Sequence, residues 1–105
     1  MNRGEVYRLK GPRRARGHEQ LGERFAVVLQ ADELAALSTV IVAPTSTSAP
    51  PQPFRAEIRI GGQRTRVLLE QIAAVDHSRL GNPVGSISRS ELEDVDLALR
   101  AVLGL

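Results

Sequence analysis

Five consecutive apolar residues, Phe25–Leu29, follow one charged side chain, Arg24, and a glycine-bracketed polar loop, Gly17–Gly22. An apolar run this short, bounded by turn residues, reads as a buried strand closing at Gln30. Aromatic side chains cannot fill the core around it, because Tyr7, Phe25 and Phe54 are the only ones in 105 residues. Val, Leu, Ile and Ala must therefore do the packing. A chain of this length is read as one domain, 1–105. A lone domain of this size buries only roughly 60–68% of its unfolded surface, so a second copy packed against it would help.

The remaining patterning is mostly β. Residues 4–9 alternate polar and apolar and read as a half-buried strand. A long basic loop, 10–23, separates that strand from the buried one, and loops of such length are usually functional or mobile. Asp32 is placed to cap a short helix over 33–37. Thr39–Ala43 is β-branched and apolar, hence a central strand expected to end at Pro44, before the Ser/Thr/Pro-rich stretch 45–53. Phe54–Ile60 alternates again, Gly61 and Gly62 turn the chain, and Arg66–Ala74 gives another strand or a bent pair. Asp76–Ser78 reads as a turn or the cap of a helical turn, and Val84–Ile87 as one more short strand.

At the C-terminal end, Ser88 and Glu91 have the spacing of a capping box. Leu92, Val95, Leu99, Val102 and Leu103 then make one apolar helical stripe, and Gly104 stops it. Glu91, Glu93, Asp94 and Asp96 read as its solvated face. Five or six short strands followed by a helix make a small α+β domain, mostly antiparallel and barrel-like.

Composition excludes several functions. With no cysteine, disulfides and thiolate metal sites are impossible, and two histidines, His18 and His77, are too few for a His-based metal centre. No apolar segment approaches the ~18–20 residues of a membrane span, so a cytoplasmic protein is expected. Seven of the fourteen basic residues fall in the first 24 positions against three acids, Glu5, Glu19 and Glu23. That local excess is compatible with a phosphate-rich partner or with a solvated surface. At the mouth of the buried strand, Arg24 together with His18, Glu19 and Gln20 is a plausible place for chemistry on an anionic substrate. The alternative is a snorkelling arginine on an ordinary connector.

Six stretches in order resemble the MazF/PemK toxins: Arg3–Tyr7, Gly17–Arg24, Val40–Ser46, Val67–Ile72, Val75–Leu80 and Leu97–Arg100. The resemblance implies an SH3-like or CcdB-like antiparallel barrel with a C-terminal helix, assembled as a homodimer. It also implies the toxin of a type II toxin–antitoxin system. Such a toxin is an endoribonuclease that cuts single-stranded RNA (mRNA, or tRNA and rRNA) at short sequences. Cutting needs no metal or cofactor, and leaves 2′,3′-cyclic phosphate and 5′-hydroxyl ends. The implied partners are the RNA and a cognate antitoxin whose acidic tail would cross the basic cleft.

Carried over by position, the family's arginine falls on Arg24, its hydroxyl residue on Ser46 and its loop glutamate on Glu19. Residues implied to contact RNA are His18, Gln20, Thr45, Thr47 and Gln71. Phe25 stands where the family usually has proline, and the connector 61–64 is shorter than usual. The residue types suit the reaction: a guanidinium offers paired donors to a phosphate gaining charge. Glu19 is a candidate base, as is His18, which titrates near neutrality. Two other readings stay open: a toxin of the same fold that binds a protein such as DNA gyrase without cutting RNA, and a plain RNA-binding barrel.

Overall fold

The computed structural model describes residues 1–10 and 24–105. The strands are β1 (Glu5–Leu9), β2 (Arg24–Val28), β3 (Thr39–Ser46), β4 (Arg55–Ile60), β5 (Gln63–Leu68), β6 (Ala73–Asp76) and β7 (Leu80–Ser86), followed by helix α1 (Arg89–Leu103). Every strand pair is antiparallel, in the order β4-β5-β3-β2-β1-β7 with β6 also on β3, so the sheet curls into a half-barrel. Seven strands replace the expected five or six. The stretch read as one strand or a bent pair is β5, a 3-10 turn at Leu69–Gln71, and β6.

The apolar run of β2 is explained by its two faces. Phe25, Val27 and Leu29 pack with Val6, Ile58, Leu69 and Val95 under the helix, while Ala26 and Val28 pack with Val40, Val42 and Leu80 on the other side. Both faces of the strand are covered, so no polar residue can interrupt it.

β3 does not end at Pro44 but passes through it to Ser46. The Leu29 N–H donates to the Ile41 carbonyl at 2.9 Å. By alternation, the Pro44 nitrogen then faces away from β2. On that edge β3 has left β6 after Val42 and first meets β5 at Thr45. A residue without an N–H is tolerated in that gap. The proline therefore marks where the strand crosses from one half of the curled sheet to the other.

Asp32 does not cap a helix. It begins a single 3-10 turn, Asp32–Leu34, and its carboxylate accepts the Arg3 N–H at 2.6 Å. Buried Gln30 closes the same corner, donating to the Leu34 carbonyl (3.3 Å) and accepting from Ile41 N–H (3.2 Å). At the β4–β5 hairpin, Gly61 and Gly62 have φ of +58° and +81°, the pair of left-handed residues a two-residue turn of this hand needs.

The capping box of α1 is present, with Gly104 left-handed beyond its end. Val95 and Ala98 are the buried residues of the helix, Leu99 and Val102 pack against the same core, and Leu103 is exposed. Two of the acids read as solvated have partners. Asp96 pairs with Arg3 at 2.5 Å, and Glu91 accepts the Arg59 N–H of β4 at 2.7 Å. Among the described residues, no helix is long and apolar enough to cross a membrane.

Candidate functional site

Arg24 is the first residue of β2, paired with Leu9 of β1 and lying toward the C-terminal end of β3. It is half-buried, and its Nε is sealed from solvent without a hydrogen-bond partner among the described residues. A buried guanidinium nitrogen left in that state costs on the order of 1–3 kcal/mol.

Arg24 lines an open groove of about 530 Å³ with Arg8, Leu9, Lys10, Leu80, Gly81 and Asn82. The described lining carries three cations and no acid, a field that favours an anion. The pairing of β1 with β7, whose residues border the groove, shifts register on both sides of Tyr7. Gly81 is needed where the strands close up: a Cβ there would lie 3.3 Å from the Arg8 Cβ. Arg8 and Lys10 belong to the basic excess of the first 24 residues, but their place beside Arg24, with Asn82, depends on the pairing of β1 with β2 and β7.

Ser46 ends β3, and the recorded β2–β3 ladder stops two residues short of it, at Ala26↔Pro44. Arg24 likewise lies two residues beyond that pair, so the two occupy the same end of adjacent strands. Ser46 does not line the Arg24 groove. It lines a smaller pocket of about 70 Å³ with Phe25, Thr45, Thr47, Ile60, Gln63 and Thr65. The Arg8 guanidinium lies over the Phe25 ring, 5.7 Å from its centroid, between the two depressions.

The Ser46 hydroxyl accepts the N–H groups of Ser48 (3.3 Å) and Ala49 (3.1 Å), and lies 3.4 Å from the Ser48 hydroxyl. Two amide donors occupy its lone pairs, so its remaining capacity is to donate. The loop that follows is tied down by arginines: Arg66 donates to the Ala49 carbonyl and Arg55 to the Pro50 carbonyl, each at 3.0 Å. Thr45 is nearly sealed and its hydroxyl donates to the Phe25 carbonyl at 3.4 Å, whereas Thr47 is exposed.

Gln71 is exposed on the 3-10 turn between β5 and β6, on the opposite side of β3 from Arg24, and lines neither depression. Its neighbour Glu70 is clamped by Arg55 through Nε (2.9 Å) and Nη2 (2.6 Å). His18, Glu19 and Gln20 lie outside the described residues. His77 sits at the far end of β3 from Ser46, its N–H donating to the Ser38 carbonyl at 3.4 Å. Among the described residues, no three His, Asp or Glu side chains group closely enough to hold a metal ion.

Hydrogen bonds from Arg55 hold the Glu70 carboxyl below its ordinary range against the opposing effect of burial. At Glu91 burial opposes ionisation, but the Ser88 and Arg59 N–H donors outweigh it and again lower the pKa. Both groups bind protons more weakly folded than unfolded, so stability rises with pH through their titration. Their contribution is fully present above the unfolded value near 4.5 and is lost as pH falls through the depressed folded values. Urea midpoints should therefore drop below that pH, and Glu70→Gln should make the drop shallower. An unchanged slope in that variant would remove Glu70 from the account.

The chain is thus a curled antiparallel half-barrel, closed by one C-terminal helix and carrying a basic groove where β2 begins. Residues 2–103 match the family of PemK-like, MazF-like toxins of type II toxin–antitoxin systems, and the chain belongs to that family. Rv3098A of Mycobacterium tuberculosis, which bears the name of a toxin, is 41% identical over 98% of this chain and 97% of its own length. Endoribonuclease MazF9 of the same organism is 32% identical, covering 100% of this chain and 98% of its own. MazF from Deinococcus radiodurans superposes with a TM-score of 0.79 at 25% identity, covering 100% of this chain and 97% of its own. A mycobacterial endoribonuclease in complex with its cognate antitoxin superposes with a TM-score of 0.82 at 18% identity, covering 100% and 96%.

Proposed function

We propose that this chain is an endoribonuclease that cuts single-stranded RNA at a short sequence, acting in the cytoplasm as a homodimer and restrained by a cognate antitoxin. The observation that carries the reading is the half-buried Arg24 guanidinium at a groove lined by cations, with a nitrogen that finds no protein acceptor among the described residues. Relatives named as endoribonucleases, and one bound to its antitoxin, support the same reading.

In the reaction, the substrate's own 2′-oxygen attacks the adjacent phosphorus and the bond from phosphorus to the 5′-oxygen breaks. This leaves a 2′,3′-cyclic phosphate and a 5′-hydroxyl, with no metal taking part. Arg24 donates paired hydrogen bonds to the non-bridging oxygens as their charge grows. A guanidinium stays protonated at ordinary pH and is no base, yet a departing alkoxide is basic enough to take its proton, which water then restores. Glu19 takes the proton from the 2′-hydroxyl, and Ser46 donates its hydroxyl to the phosphate. His18, Gln20, Thr45 and Thr47 hold flanking nucleotides, whereas Gln71, across β3 from Arg24, is given no such role.

The test is a long RNA incubated with purified protein in EDTA. Discrete fragments ending in cyclic phosphate are expected. Intact RNA with tight, salt-sensitive binding would replace the enzyme with a binding module. Intact RNA without binding would favour a protein-directed toxin.

A further inference from the structure

We propose that the pocket beside Ser46 is a base-recognition subsite that receives the edge of one unpaired pyrimidine of the RNA. The inference rests on the RNA-cleaving reading and adds to it the residues that choose the base.

The pocket has the composition such a ligand requires. Phe25 and Ile60 supply apolar walls, and the hydroxyls of Thr45, Thr47 and Thr65 with the Gln63 amide supply polar groups converging on the same space. No charged residue is in the described lining, so the pocket does not suit a phosphate. A neutral planar ring with donors and acceptors along its edge does.

Thr65 gives an independent indication. It is only 4% exposed, on the inward face of β5 opposite Ile58, yet its hydroxyl makes no hydrogen bond among the described residues. A hydroxyl that lines the pocket without a protein partner can bond a group that enters it. Thr45, also 4% exposed, makes only the long 3.4 Å contact to the Phe25 carbonyl.

Size selects the base. About 70 Å³ of free volume is room for on the order of five water molecules. A space this small suits the edge of one ring better than that of a fused pair. Position selects the nucleotide: Ser46 belongs to the same pocket, so the recognised base is next to the phosphate it would contact. Phe25, standing where the family usually has proline, provides the aromatic wall.

The experiment compares uncleavable 2′-O-methyl oligonucleotides of one length, oligo-U, oligo-C and oligo-A, by fluorescence anisotropy. The wild type is expected to bind at least one pyrimidine oligomer about tenfold more tightly than oligo-A, within the range for one good base contact. Thr65→Val, which removes the hydroxyl at nearly constant volume, should shrink that ratio below about threefold by the same measure. Gln63→Ala, at an exposed position, should shrink it as well. Fragment-end mapping on a long RNA should show a pyrimidine at one fixed position beside the cut, blurred in both variants. Equal binding of all oligomers by the wild type, or ratios untouched by both variants, would overturn the subsite. Pyrimidine preference without cutting would keep the subsite and remove the nuclease, and cutting without Thr65 or Gln63 dependence would do the reverse.

Discussion

Arg24→Ala should lower RNA cutting by at least ~10²–10³-fold, the range found when one preorganised oxyanion donor is removed. The same variant should unfold within about 1 kcal/mol of the wild type, in contrast with most changes at half-buried positions. The difference follows from where the side chain spends its interactions. Its Nε has no acceptor among the described residues, so deleting it removes an uncompensated donor as well as some methylene packing. Arg24→Lys should fall between the two, because an ammonium keeps the charge but loses the planar pair of donors. Cutting at the wild-type rate by the alanine variant, measured on the same RNA by single-turnover kinetics, would dismiss Arg24 from the reaction.

Leu69→Ala should be the most damaging of simple core truncations, with a loss of about 2–5 kcal/mol in urea unfolding. Leu69 is 0% exposed and opens the 3-10 turn that ends in Gln71, packing with Ile58, Val67 and Val95. It is therefore the anchor at which β5, β6 and α1 meet. At about 4–8 °C per kcal/mol for a domain near this size, the melting temperature should fall by more than about 8 °C. Leu97→Ala, on the outer face of α1 and 67% exposed, should change stability by less than about 0.5 kcal/mol. Similar losses from the two truncations would mean that burial does not rank these leucines.

Local signals in the chain were sufficient wherever a single element decides its own conformation. The capping box at Ser88 and Glu91, the left-handed Gly104 and the Gly61–Gly62 hairpin are all settled by a few neighbouring residues, and all stand as read. The apolar run of β2 was equally legible, since burial on two faces leaves one pattern possible.

Where a residue's partner is distant in sequence, the chain alone misled. Asp32 has the right chemistry for a cap, but the Arg3 amide holds it instead. Pro44 looks like a strand end because a missing N–H is usually fatal to a ladder, and here it falls in the one gap between β6 and β5. Asp96 and Glu91 look solvated until Arg3 and the Arg59 amide reach them.

The same division holds at the candidate site. Sequence by itself determined that Arg24 opens the central strand and Ser46 follows Pro44, because strand boundaries are written in hydrophobic pattern and punctuation. Only the tertiary structure decided that Arg24 shares a groove with Arg8, Lys10 and Asn82, while Ser46 shares a separate pocket with Phe25, Gln63 and Thr65. The physical reason is that a concave surface is made by strands meeting at a particular register and curl. Those depend on long-range pairing, and no short window of the chain encodes them.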